Sequence, residues 1–286
     1  HNHGQGHETA FAQLVSEKTG LELDAIDVVF GDTSRIQRGM GTFASRSAVI
    51  CGPAIGLATD RVIEKAKKIA AHMLEASVAD IELKDNAFNI AGTDRNVPFA
   101  KVAQAAHTFG GFGEDGREPG LDETGFYDPE DFTYPFGAHI AEVEIDEVTG
   151  RTELTRYVAV DDIGVEINPL IVEGQVQGGA VQGIGQALME AILYDEDSGQ
   201  LVTGSFMDYE MPRAHTLCAI ESERIASRCT TNPLGAKGAG EAGTFAAPAA
   251  VTNAVLDALS QAGVTAFDMP ATPLRVWRAL RSAASA

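Results

Sequence analysis

The sequence predicts an α+β fold of mixed hairpins and helices in two subdomains, residues 1–135 and 136–286. Three observations support this. Residues 139–160 alternate apolar and polar side chains around a turn, as a hairpin does. Several longer stretches repeat apolar residues at helical spacing between cap residues. Strands and helices do not alternate regularly, which argues against a doubly wound parallel sheet. Heptads, low-complexity tracts and 20–50-residue repeats are absent.

Residues 8–19 place Phe11, Leu14 and Val15 on one helical face, and Gly20 ends the run as a left-handed cap. Residues 26–30 read as a strand, closed by Gly31 and Asp32. Residues 33–47, with Gly39, Gly41 and Ser45-Arg46-Ser47, are irregular and polar. A long helix follows over residues 47–74. Short strands at 81–83 and 87–90 bracket the turn Lys84-Asp85-Asn86, and residues 97–107 predict another helix. Residues 109–135 are the least periodic part and read as a surface or pocket-covering loop. The 139–146 and 151–160 strands flank Val148-Thr149-Gly150. Asn168-Pro169 then opens a helix that runs to Met189. A second hairpin is predicted at 193–202 and a strand at 217–225. The last helices run up to Gly263 and from Pro273.

The 21 basic and 41 acidic side chains give a net charge of −20, which argues against a nucleic-acid or anionic-membrane partner. No apolar run is long enough to span a bilayer, and no secretory signal pattern is present. Cys51, Cys218 and Cys229 are odd in number and form no CxxC, so neither a disulfide framework nor a zinc site is expected; this suits a reducing, cytoplasmic setting. The sequence opens on the Gly-rich turn His1-Asn2-His3-Gly4-Gln5-Gly6-His7 without Met, which reads as the middle of a motif in a larger polypeptide.

The chemistry concentrates in residues 232–243. Gly235, Gly238, Gly240 and Gly243 give a backbone able to take positive φ and pass close to a ligand, and Lys237 adds a cation. Glu241 stands at the start of the following helix, either as a cap or dipole partner or as a base over a bound cofactor; the loop alone does not decide. Gly174, Gly178, Gly179, Gly183 and Gly185 should cost their helix several times ~1 kcal/mol relative to alanine. Close packing explains some of them. Gln175, Gln177 and Gln182 offer amides that can read a base or pterin edge. Gln5-Gly6-His7 combines an amide, a bare backbone and a helix start, and Ser45-Arg46-Ser47 suits a phosphate as well as an ordinary cap. The lysine loop is not a Walker A motif, because no Ser or Thr follows Lys237. No GxSxG is present, and Asp161-Asp162 reads as a pair of turn formers. The histidines near the start are not expected to form a catalytic metal site; any Cu²⁺ or Ni²⁺ held by His3 at a true N-terminus would be adventitious.

Seven pieces stand in a telling order: Gly4 to Glu8; Gly31-Asp32-Thr33; Gly41-Thr42 through Ser47; Phe136-Gly137-Ala138-His139; Asp161 through Pro169; Gly174-Gln175 through Gly185; and Gly235 through Glu241. In this order they resemble the C-terminal portion of the molybdenum-binding large subunit of the xanthine dehydrogenase family. That family includes aldehyde oxidoreductases and aerobic carbon monoxide dehydrogenases, and the match covers essentially the whole chain. The resemblance implies a molybdopterin cofactor carrying Mo, in bacteria usually the cytosine dinucleotide form. It places Gln5, Gly6 and His7 near the metal, and Ser45, Arg46 and Ser47 on phosphate or pterin. It places Asp162, Ile163, Asn168 and Gln175 at the dinucleotide end, and Lys237, Gly238, Ala239 and Gly240 on the pterin side. Glu241 matches the family's catalytic glutamate, the base for hydroxylation of an electron-poor carbon with oxygen from water.

No residue of this chain is expected to ligate the metal. Ile163 stands where many relatives carry Cys. The loop that selects an aldehyde, an N-heteroaromatic compound or CO is expected upstream of His1, with the other half of the cofactor cradle. The implied partners are that upstream half, a [2Fe-2S] iron–sulfur subunit, an FAD subunit and a small-molecule substrate, assembled as a dimer of heterotrimers. The competing readings are a catalytically silent binding or assembly module and, more weakly, a nucleotide-phosphate enzyme using the Lys237 loop.

Overall fold

The computed structural model describes residues 1–36, 39–108 and 118–285. The chain divides into two compact units. The first comprises His1–Phe132 with Thr230–Gly235, and the second Thr133–Cys229 with Ala236–Ala286.

In the first unit, helix α1 (His7–Thr19) starts at Gly6, whose φ of 75° no bulky residue would take readily. It stops at Gly20, where left-handed geometry turns the N–H onto the Ser16 carbonyl. Helix α2 spans Ser47–Leu74. Strands β1 (Ile81–Lys84), β2 (Ala87–Ile90) and β3 (Asn96–Pro98) form an antiparallel meander, followed by α3 (Phe99–Ala106). Asp85 and Asn86 both take positive φ, as a two-residue hairpin turn requires. Ala66, Ile69 and Ala70 of α2 close a small core against Phe88 of β2 and Val102 of α3.

Two expectations fail here. Residues 26–30 form no strand: a 3-10 turn, Leu23–Ala25, leads into an extended Ile26, and no ladder partner exists among the described residues. Exposure still alternates along the segment, so the pattern reports one covered face rather than pairing. Residues 97–98 belong to β3, and the predicted helix begins only after Pro98, whose extended ψ of 145° sets the helix start. Of the long loop at 109–135, residues 109–117 lie outside the described residues; residues 118–135 carry no helix or strand.

The second unit is built on β4 (Phe136–Ile145) and β5 (Thr152–Asp162), an antiparallel hairpin. Strand β6 (Ile220–Ile225) adds to β5 in parallel. Helices α4 (Pro169–Leu188), α5 (Ala242–Ser260) and α6 (Pro273–Ala283) complete it. The predicted hairpin at 193–202 shrinks to one bridge, Tyr194 to Leu201, around a turn capped by Asp195. Leu154, Tyr157 and Ala159 of β5 share a core with Val176, Ala180 and Ile184 of α4 and Val251 and Val255 of α5.

Glycine sets how closely α4 and α5 approach. A Cβ on Gly243 would lie 2.1 Å from the Val176 carbonyl oxygen, and one on Gly183 would lie 2.7 Å from the Ala247 side chain. Both contacts are tighter than van der Waals packing allows. Gly174 and Gly178, by contrast, have nothing within 4 Å of a built Cβ. Gly243→Ala should therefore destabilise the chain by roughly 1–3 kcal/mol or more. Gly174→Ala and Gly178→Ala should each stabilise it by about 0.5–1 kcal/mol. Urea unfolding of the three variants checks this; equal effects would show that the helix contact is not glycine-limited.

Candidate cofactor-binding site

Strand β5 ends in two buried carboxylates that face different partners. Asp161 lies 3.2 Å from Nε2 of His139, whose Nδ1 is 2.7 Å from the Tyr157 hydroxyl. Both the His139 and the Asp161 side chains are almost wholly buried. Burial and the Asp161 charge both push the Tyr157 phenol above its ordinary value, so it stays a neutral hydroxyl. Gly137 makes room for this network, because a Cβ there would stand 2.2 Å from an Asp161 oxygen.

Asp162 points elsewhere. Its Oδ1 accepts hydrogen bonds from the N–H of Gly164 at 2.9 Å and of Ser227 at 3.3 Å, and pairs with Lys237 Nζ at 3.1 Å. Its side chain is 1% exposed and that of Lys237 9%. Burial raises the carboxyl, but the donors on Ser227, Gly164 and Lys237 outweigh it and hold the group at about 2. The expectation that these two aspartates are turn formers holds in part: Asp162 closes a turn by accepting from the Gly164 N–H two residues on, whereas Asp161 is a buried carboxylate paired with His139. Lys237 is no isolated point charge either. Its ammonium is balanced by Asp162 and lies 4.8 Å from the Phe136 ring centre.

The backbone follows the side chains. Ala236 bridges to Gly164, and the Lys237 N–H donates to the Ile163 carbonyl at 2.8 Å. Arg224 on β6 pairs with Glu166 at 2.9 Å, bracing the turn that follows. Asn168 caps α4, its side-chain oxygen accepting from the Ile171 N–H at 3.0 Å. Gln175 lies half-buried further along the same helix. Of the loop glycines only Gly235 takes positive φ, at 70°; Gly238 and Gly240 are not there for that reason. Ala239 and Gly240 lead into Glu241, the residue before α5. Its carbonyl receives the N–H groups of Thr244 and Phe245, while its half-buried carboxylate makes no capping bond to the helix.

The first unit carries the other predicted residues. Gly6 is the left-handed residue before α1, and the Gln5 side chain accepts from the His3 N–H. His7 stacks on Phe11 at 5.1 Å, and burial lowers its pKa, opposed by Glu8. The Ser45-Arg46-Ser47 turn is strained: Ala44 and Ser45 both take φ near 50°. Arg46, not a serine, occupies the cap position of α2 and makes no capping bond; its guanidinium lies 3.9 Å over Phe43. Ser47 Oγ bonds Thr42 Oγ1 at 3.1 Å, and Thr42 donates to the His1 carbonyl at 2.5 Å. The turn before α1 and the turn before α2 are thereby tied together.

Sequence reasoning missed the His139–Tyr157–Asp161 network and the linking roles of Thr42 and Ser227. Phe136-Gly137-Ala138-His139 was visible as a motif, but its facing aspartate required the strand register.

The end of β5 also holds a buried oxygen whose hydrogen-bonding capacity is unused. Asp162 Oδ2 is buried without a hydrogen-bond partner, although Oδ1 receives three. Such an atom costs stability unless a donor reaches it. No set of three or more His, Cys, Asp or Glu side chains among the described residues is arranged to hold a metal. Small residues, the half-buried Gln175 amide and a buried carboxylate oxygen, on an α+β scaffold, fit an organic cofactor better than a directly ligated metal ion.

Comparison narrows that reading. Residues 1–218 match the family described as molybdopterin cofactor-binding domain, and the chain belongs to it. It is 39% identical over 278 residues to the carbon monoxide dehydrogenase large chain of Hydrogenophaga pseudoflava, covering 97% of this chain and 34% of that protein. It is 40% identical over 279 residues to the nicotine 6-hydroxylase large subunit of Paenarthrobacter nicotinovorans, again covering 97% of this chain and 34% of that protein. The solved structure of quinoline 2-oxidoreductase from Pseudomonas putida 86 superposes with a TM-score of 0.85 at 40% identity, over 98% of this chain and 36% of that one. The chain spans about a third of the length of the relatives it matches. No helix among the described residues is long and apolar enough to cross a membrane.

The depressed Asp162 carboxyl makes a pH prediction. Its folded value of about 2 lies below the ordinary 3.8. The stabilisation is therefore complete above about pH 4 and is lost as pH falls towards about 2. Asp162→Asn should lower the melting temperature at neutral pH and flatten its fall between pH 4 and 2. Parallel slopes for variant and parent would mean that Asp162 does not carry this titration.

Proposed function

We propose that this chain is the cofactor-binding, base-bearing part of a molybdenum hydroxylase. In this reading it acts in an oxidoreductase that hydroxylates an electron-poor carbon with oxygen taken from water. One observation carries the proposal. Glu241 is held half-buried at the start of α5, directly after a loop clamped by the Asp162–Lys237 pair, and it does not serve the helix as a cap. A carboxylate placed so, among small residues, suits a proton acceptor facing a ligand.

When bound, molybdopterin would supply the metal and the two-electron redox chemistry. The protein's own residues would do the rest. Asp162 Oδ2 would accept a hydrogen bond from the cofactor's dinucleotide end, assigned here to the cytosine form. Ile163, Asn168 and Gln175 would line the same end. Backbone at Lys237, Gly238, Ala239 and Gly240 would pass close to the pterin. In the first unit, Gln5, Gly6 and His7 would contact the cofactor near the metal. The strained Ser45-Arg46-Ser47 turn would take its phosphate or pterin, and this use accounts for a conformation that no cap demands. Glu241 would take the proton from the water-derived oxygen.

Two electrons leave the substrate in such a reaction. They would pass to an iron–sulfur subunit and an FAD subunit in a cytoplasmic dimer of heterotrimers. The relatives' names include carbon monoxide dehydrogenase and nicotine 6-hydroxylase, so CO and N-heteroaromatic rings are candidate substrates, and the family resemblance adds aldehydes. By itself this chain would hold only part of the cofactor cradle and would not turn over.

Glu241→Gln in the complete enzyme preserves size and hydrogen bonding but removes the base. It should abolish turnover of whichever substrate the parent oxidises, while molybdenum content stays at the parent's level. Undiminished kcat at normal metal loading would exclude Glu241 as the base.

A further inference from the structure

The segment between α4 and Arg213 is a firmly built arm of the second unit whose apolar side chains stay exposed among the described residues. Its ends are fixed. A Cβ on Gly185 would lie 2.4 Å from both Glu190 Oε1 and Pro212 Cγ, and the Tyr209 hydroxyl donates to Glu190 at 2.5 Å. Its first turn is closed by Asp195, which accepts from the Ser198 N–H and hydroxyl, and Thr203 accepts from the Leu193 N–H. Its second turn runs from Ser205 to Tyr209, whose N–H donates to the Ser205 carbonyl, while the Ser205 hydroxyl donates to Asp208.

On this frame the arm presents apolar side chains to solvent. Phe206 is 79% and Met207 92% exposed at the tip, with Ile192, Leu193, Tyr194 and Val202 also exposed. Scattered apolar residues on a surface are ordinary, but a concentration on one ordered arm marks an interface. The polar groups around it have one sign. Asp195, Glu196, Asp197, Asp208 and Glu210 are exposed, and no Lys, Arg or His lies between Met189 and Arg213. A second copy would bring the same acidic rim against itself within a chain of net charge −20, so self-association through this arm is opposed.

We infer that the arm docks onto the remainder of the large-subunit polypeptide, on an apolar surface rimmed by basic side chains. The length relation points to this occupant: the relatives match nearly all of this chain, arm included, yet are about three times as long. The inference rests on the family membership and on that length relation, and not on Glu241 or any step of the chemistry.

Oxidative footprinting of Met207, read by mass spectrometry without cofactor or turnover, tests it. Three samples are compared: the 286-residue chain, the full-length large subunit alone, and the large subunit with its partner subunits. Met189, which packs on the core, is the internal reference. Met207 should oxidise readily in the short chain and about tenfold more slowly in the full-length subunit alone. Asp197→Lys with Glu210→Lys, two exposed sites, should restore much of that oxidation in the full-length subunit by repelling the basic rim. Four results would overturn the inference: equal oxidation in all samples, protection that appears only with the partner subunits, concentration-dependent protection in the short chain, or a natural polypeptide no longer than this chain. Loss of activity in Glu241→Gln would leave the footprint unchanged, so the two proposals fail separately.

Discussion

The second unit depends on a buried ion pair between Asp162 at the end of β5 and Lys237 in the glycine-rich loop. Neither side chain could be buried without the other at tolerable cost, since an isolated charge loses its hydration with nothing in return. Paired, they fasten two distant stretches of sequence. The backbone then zips alongside, through the Gly164–Ala236 bridge and the Lys237 to Ile163 hydrogen bond. The loop leaves this anchor after a few residues and enters α5 at Glu241. The position of the carboxylate follows from where the loop is pinned and where α5 begins.

Helix packing fixes the other end of that relation. α5 lies against α4 at a separation that only glycine at 183 and 243 permits, and α4 itself is anchored by the Asn168 cap a few residues after Asp162. Loop, helix start and Gln175 are thereby held in one framework. The glycines of α4 divide by physical cause: Gly179 and Gly183 meet α5, Gly185 meets the arm, and Gly174 and Gly178 face open space. The last two carry a helix-propensity cost that no packing among the described residues offsets, which is what a face meant for a ligand or another segment would show.

Much of the fold was legible because its signals are local. Helix α2 has its expected bounds, and α1, α4 and α6 begin where Gly6, Asn168-Pro169 and Thr272-Pro273 indicate. What failed was non-local. Residues 26–30 carry a strand's alternation but lack a neighbour, and the 193–202 hairpin keeps its turn without its ladder. The α+β class stands, with a fold shared by the solved structures of a Cu,Mo-CO dehydrogenase and an aldehyde oxidoreductase. At the site, the chemically unusual stretches were visible in the sequence, and the resemblance named the family to which the chain belongs. The pairings were not visible: nothing in Asp161-Asp162 tells which aspartate meets His139 and which Lys237, because strand register decides it. The left-handed backbone at Ala44 and Ser45 was equally hidden, since neither residue type advertises it.

The central claim is that these elements cradle a molybdopterin dinucleotide, with Asp162 and the Lys237 loop at one end and Glu241 facing the reacting centre. Its most direct test is cofactor analysis of the full-length large subunit purified from its native host. Molybdenum is measured by elemental mass spectrometry, and the nucleotide is released by acid. The account predicts molybdenum stoichiometric with the polypeptide, together with an equal amount of CMP. A folded, intact subunit that carries neither molybdenum nor pterin would contradict it.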